Sequence, residues 1–217
     1  MLDVPKIMEL CHPLLQHHLT QMRDRATSPA SFRSSLRRIA TFLAVEATRD
    51  LPVCSIEVIT PVAPCVGSQI NCRIGLIPIL RAGLGMTDAF LDLIPDAEVY
   101  HLGLYRNEQT AEPVEYYSKL PPADPVDIAI VLDPMLATGG SATIALEMLQ
   151  RWGVRKVKLI TVIAAREGID AVAARFPELE VFVGAVDEEL NMQKFIVPGL
   201  GDAGDRIFNT SPFAINT

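Results

Sequence analysis

A chain of 217 residues with 49% hydrophobic and 21% charged residues can bury a sizeable core, and its length suits one domain. The formal net charge of -7 argues against broad binding to nucleic acid, because neutralising phosphates requires a basic surface. The sequence has no basic flank followed by a long apolar segment, and no window approaches the length of a membrane span. We therefore expect a soluble, cytoplasmic protein with no membrane partner.

The cysteines and histidines show no metal-binding pattern. The cysteines are Cys11, Cys54, Cys65 and Cys72. They form no CxxC pair, the sequence has no HExxH motif, and three of the four histidines fall in one segment typical of a surface helix. We expect buried free thiols, and neither a zinc site nor a catalytic histidine.

The first clear periodicity predicts an amphipathic helix that begins after Ser28, with Pro29 in its first turn. Its apolar positions are Phe32, Leu36, Ile39, Leu43 and Ala47. The next stretch, residues 55–62 (SIEVITPV), alternates apolar and polar side chains and predicts a half-exposed strand.

Five short apolar runs rich in Ile and Val predict further strands. They span residues 75–80, 98–105, 127–132, 157–165 and 179–186. Helix-like segments lie between them at 86–94, 141–153 and 168–176, and Gly153 is a fitting C-terminal stop for the second. This alternation predicts an α/β fold with a mainly parallel sheet covered on both faces.

The stretch 106–125 (RNEQTAEPVEYYSKLPPADP) does not fit the core of such a fold. It is too polar and too rich in proline, and it is long for a connection between elements. We expect a mobile arm or flap here, over residues 105–121.

The segment 131–142, VLDPMLATGGSA, has the composition of a ligand-binding loop between a strand and a helix. At that end of a parallel strand, the helix N-terminus presents free N–H groups to an anion. Gly139 and Gly140 permit close approach of the backbone, and Asp133 can accept hydrogen bonds from vicinal hydroxyls. The lysine of a Walker loop is absent, which disfavours nucleoside triphosphate hydrolysis. A tight turn in which Ser141 merely caps the helix is the structural alternative.

This segment resembles the phosphoribosyl pyrophosphate loop of type I phosphoribosyltransferases, in the form found in the uracil phosphoribosyltransferase family. Asp133 is followed by Pro134, as in the uracil family, whereas many sister families carry two adjacent acids there. This makes purine salvage enzymes a weaker alternative. Three further segments resemble the same family in the same order: ILRAGLGM (79–86), GLYRNEQTAEPVEYYSKLP (103–121) and IVPGLGDAGDRIFNT (196–210).

The resemblance implies a single domain over residues 1–217 with a type I phosphoribosyltransferase fold. It implies a helical N-terminal extension (1–50), a flexible β-arm (105–121) and a small C-terminal hood that binds uracil (187–217). The implied reaction transfers the 5-phosphoribosyl group from phosphoribosyl pyrophosphate to uracil and yields UMP and pyrophosphate, as in pyrimidine salvage. Mg²⁺ is the implied cofactor, since it would neutralise the leaving pyrophosphate.

The resemblance also assigns site residues. Those implied for phosphoribosyl pyrophosphate are Arg81, Arg106, Asp133, Pro134, Met135, Leu136, Ala137, Thr138, Gly139, Gly140, Ser141 and Asp202. Those implied for uracil are Ile196, Gly201, Asp202 and Ala203, whose main-chain groups would contact the edge of the base. Asp133 would bind the ribose hydroxyls, residues 137–141 the 5-phosphate, and the two arginines the pyrophosphate. No general base and no all-protein metal site are implied, and Mg²⁺ would be held through pyrophosphate with help from Asp202.

Two details of these segments bear on the ligand. Gly83 and Gly85, which lie beside Arg81 in the sequence, could bring the backbone close to the ligand. Family members commonly carry Gly-Tyr just before the last segment, where this chain has Lys194 and Phe195. Loss of the tyrosine hydroxyl puts affinity in question, whereas recognition of uracil through the backbone is unaffected.

Two other functions stay open on the sequence alone. One is an RNA-binding regulator of pyrimidine genes on the same fold, against which the acidic composition argues. The other is a phosphoribosyltransferase for a different base. The resemblance leads us to expect a homodimer or a higher homo-oligomer, and the sequence leaves open whether GTP activates it.

Overall fold

The computed structural model describes residues 6–106 and 113–210, which form an α/β fold. The strands are β1 (Lys6–Glu9), β2 (Val53–Ile59), β3 (Pro64–Ile70), β4 (Ile74–Leu80), β5 (Glu98–Val99), β6 (Leu102–Arg106), β7 (Pro113–Ser118), β8 (Ile128–Leu132), β9 (Met135–Leu136), β10 (Lys156–Ala165), β11 (Glu180–Asp187), β12 (Glu189–Leu190) and β13 (Ile196–Val197). The helices are α1 (Pro13–Arg23), α2 (Pro29–Ala47), α3 (Leu84–Leu91), α4 (Gly140–Trp152), α5 (Arg166–Arg175) and α6 (Ala203–Phe208).

The central sheet has the strand order β1-β11-β10-β8-β4-β6-β7. Neighbouring strands in it are parallel except β6 and β7, which are antiparallel. The short strands β5 and β9 pair in parallel with β4 and β10. The predicted, mainly parallel sheet is confirmed, and it contains all five predicted strands. The run 98–105 is divided between β5 and β6.

The two faces of the sheet bury two separate apolar cores. Along β8, Ile128, Ile130 and Leu132 face the core covered by α1, α2 and α3, whereas Ala129 and Val131 face the core covered by α4 and α5. This follows from the alternation of side chains along a strand. Because both faces are covered, β8 is buried along its whole length, which explains its continuous apolar sequence.

Helix α2 matches its sequence prediction closely. The Ser28 hydroxyl caps it by accepting a hydrogen bond from the Ser31 N–H at 3.2 Å, and Pro29 is its first residue. The predicted apolar positions are all 0% exposed. Helix α4 ends as predicted at Gly153, which adopts a φ of 99°.

The N-terminal half departs from the sequence predictions in two strands. The predicted strand is present as β2, but it is exposed along its length and pairs with β3, which was not predicted, in a separate two-stranded sheet. Strand β1 lies in the segment predicted to be helical and pairs with β11 at the sheet edge. None of the helices in the described residues is long and apolar enough to cross a membrane.

The cysteines are free, as expected, but the prediction that they are buried was wrong. Cys11, Cys54 and Cys65 are exposed, and Cys72 is partly exposed. Two of them lie on the β2–β3 hairpin, whose side chains do not pack into either core of the sheet.

Candidate active site

The predicted phosphate loop, residues 133–141, lies between the end of β8 and the start of α4. The Asp133 N–H donates to the Ile160 carbonyl at 3.1 Å, and β9 then pairs with β10. Both contacts join the loop to the sheet, so it leaves the carboxyl end of β8 in a fixed direction. Its first residues, including Pro134, are therefore held by the backbone of the neighbouring strand.

The N-terminus of α4 is open to an anion. Its N-cap is Gly139, with a φ of 80°, and no side chain in the described part of the chain caps it. Thr138 Oγ1 makes one long contact, 3.5 Å, with the Gly140 N–H. The alternative in which Ser141 caps the helix is therefore not observed. A helix of this length, with uncapped amides in its first turn, presents N–H groups and the positive end of its dipole to the loop.

Helix α5 supports the phosphate loop from behind through a glycine that sequence reasoning missed. A Cβ on Gly168 would lie 2.4 Å from the Ala137 carbonyl oxygen and 2.8 Å from that of Leu136. A Cβ on Gly139 would lie 3.0 Å from the Gly168 carbonyl oxygen. The loop and the helix can approach this closely only because neither glycine has a side chain. A glycine in the first turn of an otherwise alanine-rich helix was the available signal.

Asp133 is partly buried at the end of β8, where its carboxyl group is electrostatically strained. The pKa of this carboxyl group is raised to about 7, and burial is the largest cause. The Met135 N–H, which donates to Oδ1 at 3.3 Å, lowers the pKa, whereas the nearby Asp202 carboxylate raises it. The structure thus brings two acids implied for phosphoribosyl pyrophosphate close together, although Asp202 lies far along the sequence. A ligand that brings hydroxyl donors or a cation would favour the ionised form.

Arg81 follows directly after β4 and is about half exposed. Its guanidinium forms an ion pair with Asp205 at 2.8 Å and donates to the Thr210 hydroxyl at 2.9 Å. Atoms of Arg81 also lie within 3.6 Å of the position of a Cβ built on Gly204. The side chain therefore faces the C-terminal segment, across from the phosphate loop.

The glycines next to Arg81 serve protein packing. A Cβ on Gly83 would lie 2.3 Å from the Leu132 carbonyl oxygen, and one on Gly85 would lie 2.6 Å from a methyl carbon of Leu36. The close approach expected of these glycines is present, but the space is filled by the protein. Packing within the protein therefore explains why glycine is needed at both positions, without a ligand contact.

Arg106 ends β6, and its side chain lies outside the described residues, as do residues 107–112. The predicted arm begins in β6, and its residues 113–118 form β7, which pairs antiparallel with β6 in the sheet. Its mobility stays a prediction.

The hood, residues 187–217, is described to residue 210. Strands β12 and β13 form a short antiparallel pair, and helix α6, which the sequence analysis did not predict, follows them. Asp202 caps α6, since its Oδ1 accepts a hydrogen bond from the Asp205 N–H at 2.8 Å. The short length of this helix explains why no hydrophobic period was visible.

The residues implied for uracil differ in their exposure. Ile196 and Ala203 are 6% and 0% exposed and pack in the core beneath the hood. Gly201 is exposed, with a φ of 77°. Of these three residues, only Gly201 has a backbone that is exposed, since Ile196 and Ala203 are buried as whole residues. Contact of uracil with the main chain of all three stays a prediction.

The backbone at Lys194 shows how this chain accommodates its departure from the Gly-Tyr pattern of the family. This residue has a φ of 63°, a conformation that favours glycine, which family members commonly carry there. Its amino group lies 3.3 Å from Glu167 at the start of α5. The chain therefore keeps the backbone geometry of a glycine at this position with a lysine.

Comparisons with known proteins agree with this geometry. Residues 9–210 match the family model described as uracil phosphoribosyltransferase. A curated relative of that name from Roseiflexus sp. strain RS-1 is 52% identical over 205 residues, covering 94% of this chain and 99% of the relative. The solved AQ2163 protein from Aquifex aeolicus has a TM-score of 0.90 at 41% identity, over 95% of this chain and 100% of its own. A hypoxanthine phosphoribosyltransferase from Staphylococcus aureus shares the fold alone, with a TM-score of 0.50 at 13% identity and 73% and 76% coverage.

Proposed function

The chain belongs to the uracil phosphoribosyltransferase family, and we propose that the phosphate loop and the hood together carry out that family's reaction as one domain. The enzyme forms UMP and pyrophosphate from uracil and phosphoribosyl pyrophosphate, as in pyrimidine salvage. The observation that carries the assignment of the site is the open N-terminus of α4 beside Asp133, with the hood facing it.

The phosphate loop would bind the ribose 5-phosphate of the first substrate. Residues 137–141 offer backbone amides and two hydroxyls, while residues 134–136 hold the loop on the sheet. Asp133 would accept hydrogen bonds from the ribose hydroxyls, which stabilise its ionised form. Arg81 and Arg106 would contact the pyrophosphate. The Arg81 guanidinium would then exchange its partner Asp205 for a phosphate oxygen.

The base would bind against the backbone of the hood at Ile196, Gly201, Asp202 and Ala203. Fixed N–H and C=O groups there would match the donor and acceptor pattern of uracil. Cytosine presents an amino group where uracil has O4, and an unprotonated N3 where uracil has N3–H. A fixed backbone group would therefore face a donor with a donor, or an acceptor with an acceptor.

Mg²⁺ fits this site. Asp133 and Asp202 supply carboxylate oxygens, the ligand type that Mg²⁺ prefers, and the Asp202 carboxylate contributes to the raised pKa of Asp133. The described residues contain no cluster of three His, Cys, Asp or Glu side chains that could hold a metal ion. The ion would therefore be held mainly through pyrophosphate, with Asp202 on the protein side. When bound, it would neutralise charge on the leaving group.

We assign no general base to the reaction. Displacement of pyrophosphate from the ribose passes through charge resembling an oxocarbenium ion, as in other glycosyl transfers. This chain's residues would act by holding both substrates in line, by placing cationic side chains at the leaving group and by excluding water.

The β2–β3 hairpin supports the proposal of a homo-oligomer. Its exposed apolar residues are Val53, Ile56, Val58, Ile59, Val62, Val66 and Ile70. The register of the hairpin places Val53, Val66 and Ile70 on one face and Ile56 and Val58 on the other, so both faces carry exposed apolar side chains, which are typical of an interface between chains. Light scattering of the wild type should give at least a dimer, and the double variant Val58→Lys with Val66→Lys should lower the mass. A monomeric wild type would contradict the proposal.

The RNA-binding alternative is not favoured, since the family match names an enzyme. The deciding experiment measures nucleotide formation with uracil, hypoxanthine and guanine, each with and without Mg²⁺. We expect UMP to form from uracil and to require Mg²⁺, with little product from either purine. A purine base used more efficiently than uracil would overturn the assignment, and added GTP decides whether GTP activates.

A further inference from the structure

One buried ion pair holds both main-chain polar groups of Gly199 in the hood. The Arg23 guanidinium forms two bonds with the Asp187 carboxylate, at 2.6 and 2.8 Å. Arg23 also donates to the Gly199 carbonyl at 2.9 Å, and Asp187 accepts from the Gly199 N–H at 3.0 Å. The two side chains therefore satisfy the N–H and the carbonyl of Gly199, as the backbone of a neighbouring strand would do in a sheet.

These contacts are protected from water and depend on geometry. The Asp187 side chain is 6% exposed and that of Arg23 is 25% exposed. Bidentate pairs of guanidinium and carboxylate fix the relative orientation of both groups, and they are stronger where water is excluded. The pair is thus suited to fixing the orientation of a peptide group.

Gly199 has a backbone conformation that needs such support. Its φ is 60°, and a Cβ there would lie 2.1 Å from the Ile196 carbonyl oxygen. The residue has no side chain with which to pack, so its neighbours must hold it. It lies between Ile196 and Gly201, two of the residues proposed to contact uracil through their main chain.

A second arginine makes the reciprocal connection. Arg206 donates to the Leu200 carbonyl in the hood at 2.8 Å and to the Asp24 carbonyl just after α1 at 2.6 Å. It also donates to the Met22 carbonyl, and its guanidinium lies 4.4 Å from the centre of the Phe32 ring. The end of α1 and the hood are therefore joined from both sides.

We propose that Arg23 and Asp187 are positioning residues for the base: they fix the hood backbone from Ile196 to Ala203 in the geometry that accepts uracil. This inference rests on the proposed function, because it takes that backbone as the surface that contacts the base. Neither side chain needs to touch a substrate. The N-terminal helical segment then takes part in base selection, although it lies far from the hood in the sequence.

The variants Arg23→Lys and Asp187→Asn test the inference. Lys keeps the positive charge beside Asp187 but cannot bond both carboxylate oxygens and the Gly199 carbonyl in the fork geometry of Arg. We expect the Tm of Arg23→Lys to stay close to that of the wild type while its KM for uracil rises about tenfold and its KM for phosphoribosyl pyrophosphate changes less than about twofold. Asp187→Asn should show the same split, with a lower Tm, because it removes the charge that Arg23 pairs with.

Two controls separate positioning from loss of stability. Leu149→Ala truncates a side chain that is 0% exposed on α4, in the other core, and should lower Tm without changing the ratio of the two KM values. Amide hydrogen exchange of a peptide covering residues 196–203 should be faster in Arg23→Lys and unchanged in Leu149→Ala. The uracil-over-cytosine ratio of kcat/KM should fall in Arg23→Lys.

Equal changes in both KM values, or unchanged exchange in residues 196–203, would overturn the positioning role. A wild type that forms no UMP would overturn the proposed function instead. In that case the exchange measurement still decides whether the ion pair holds the hood backbone.

Discussion

The phosphate loop and the hood face each other across the site, but different parts of the chain hold them in place. The loop is continuous with β8 and α4 and is held by the strand and helix that follow, β10 and α5. The hood is held by side chains from the N-terminal helices: Arg23 bonds the Gly199 carbonyl, and Arg33 bonds the Ile207 carbonyl at 2.8 Å. The phosphate loop is thus held by segments that are near it in the sequence, whereas the hood depends on contacts with residues that are distant in the sequence.

The largest effect should come from the close contact between the phosphate loop and Gly168 of α5. The variant Gly168→Ala places a methyl group where the Ala137 carbonyl oxygen would be 2.4 Å away, so the loop must move. A displacement of about 1 Å at a binding site can cost roughly 100-fold in rate, and we expect kcat/KM for phosphoribosyl pyrophosphate to fall by about that factor.

A control for Gly168→Ala is Asp170→Ala, at an exposed position of the same helix. Alanine favours helix over either residue, so neither variant should unfold α5. Steady-state kinetics of both variants provide the measurement. If Gly168→Ala kept wild-type kinetics, α5 would have no part in supporting the loop.

A smaller effect on the same loop is expected from Asp133→Asn. It replaces a charge-assisted hydrogen bond to the ribose with a neutral one, which should lower kcat/KM for phosphoribosyl pyrophosphate by the equivalent of about 1 to 2 kcal/mol. The KM for uracil should change little, because the contacts of the hood are untouched. A variant with unchanged kinetics at about pH 8 would remove Asp133 from the site.

The same substitution makes a prediction about stability and pH. In the folded chain the pKa of Asp133 is raised by burial from 3.8 to about 7, so the folded state binds this proton more tightly than the unfolded state. The resulting stability is fully present below pH 3.8 and is lost as the pH rises to about 7. Between about pH 5 and pH 8, the ligand-free wild type should therefore lose roughly 1 to 3 kcal/mol relative to Asp133→Asn in urea unfolding. A constant difference across this range would contradict the assignment.

The smallest effect concerns the edge of the hood. Lys194→Gly removes a side chain from a residue with a φ of 63°, and relief of this conformation should outweigh the entropy of the added glycine. The exposed ion pair with Glu167 that is lost contributes little. We expect the free energy of unfolding to rise by about 0.5 kcal/mol, whereas Lys194→Ala should not raise it.

The contrast between the two regions also explains how much the sequence revealed. The five apolar strands of the sheet and the phosphate loop were predictable, because apolar runs such as β8 and a glycine-rich turn before α4 are local patterns. The edge strand β1 was not, since it lies in a segment predicted to be helical. Helix α6 was not, because six residues are too few to show a hydrophobic period. The β2–β3 hairpin was only half predicted, since strand β3, with proline and glycine in its sequence, lacks a strand pattern.

Within the site, the sequence indicated the residues proposed to contact ligand better than those that support them. Asp133 and Gly139 belong to a contiguous motif, and a motif can be recognised. Gly168, Arg23 and Asp187 act through the tertiary structure, and nothing in their immediate neighbours indicates a partner more than 160 positions away, as for Arg23 and Asp187. Such residues become visible only when distances are known.

If the hood selects its base through fixed backbone groups, the wild-type enzyme should have a high ratio of kcat/KM for uracil over cytosine. A site built to hydrogen-bond one pattern rejects the mismatched analogue by about 10⁴ or more, and we expect a ratio of that size. Both substrates should be measured at saturating phosphoribosyl pyrophosphate with Mg²⁺ present. Comparable use of cytosine would contradict the account, because a fixed donor and a fixed acceptor cannot satisfy both bases.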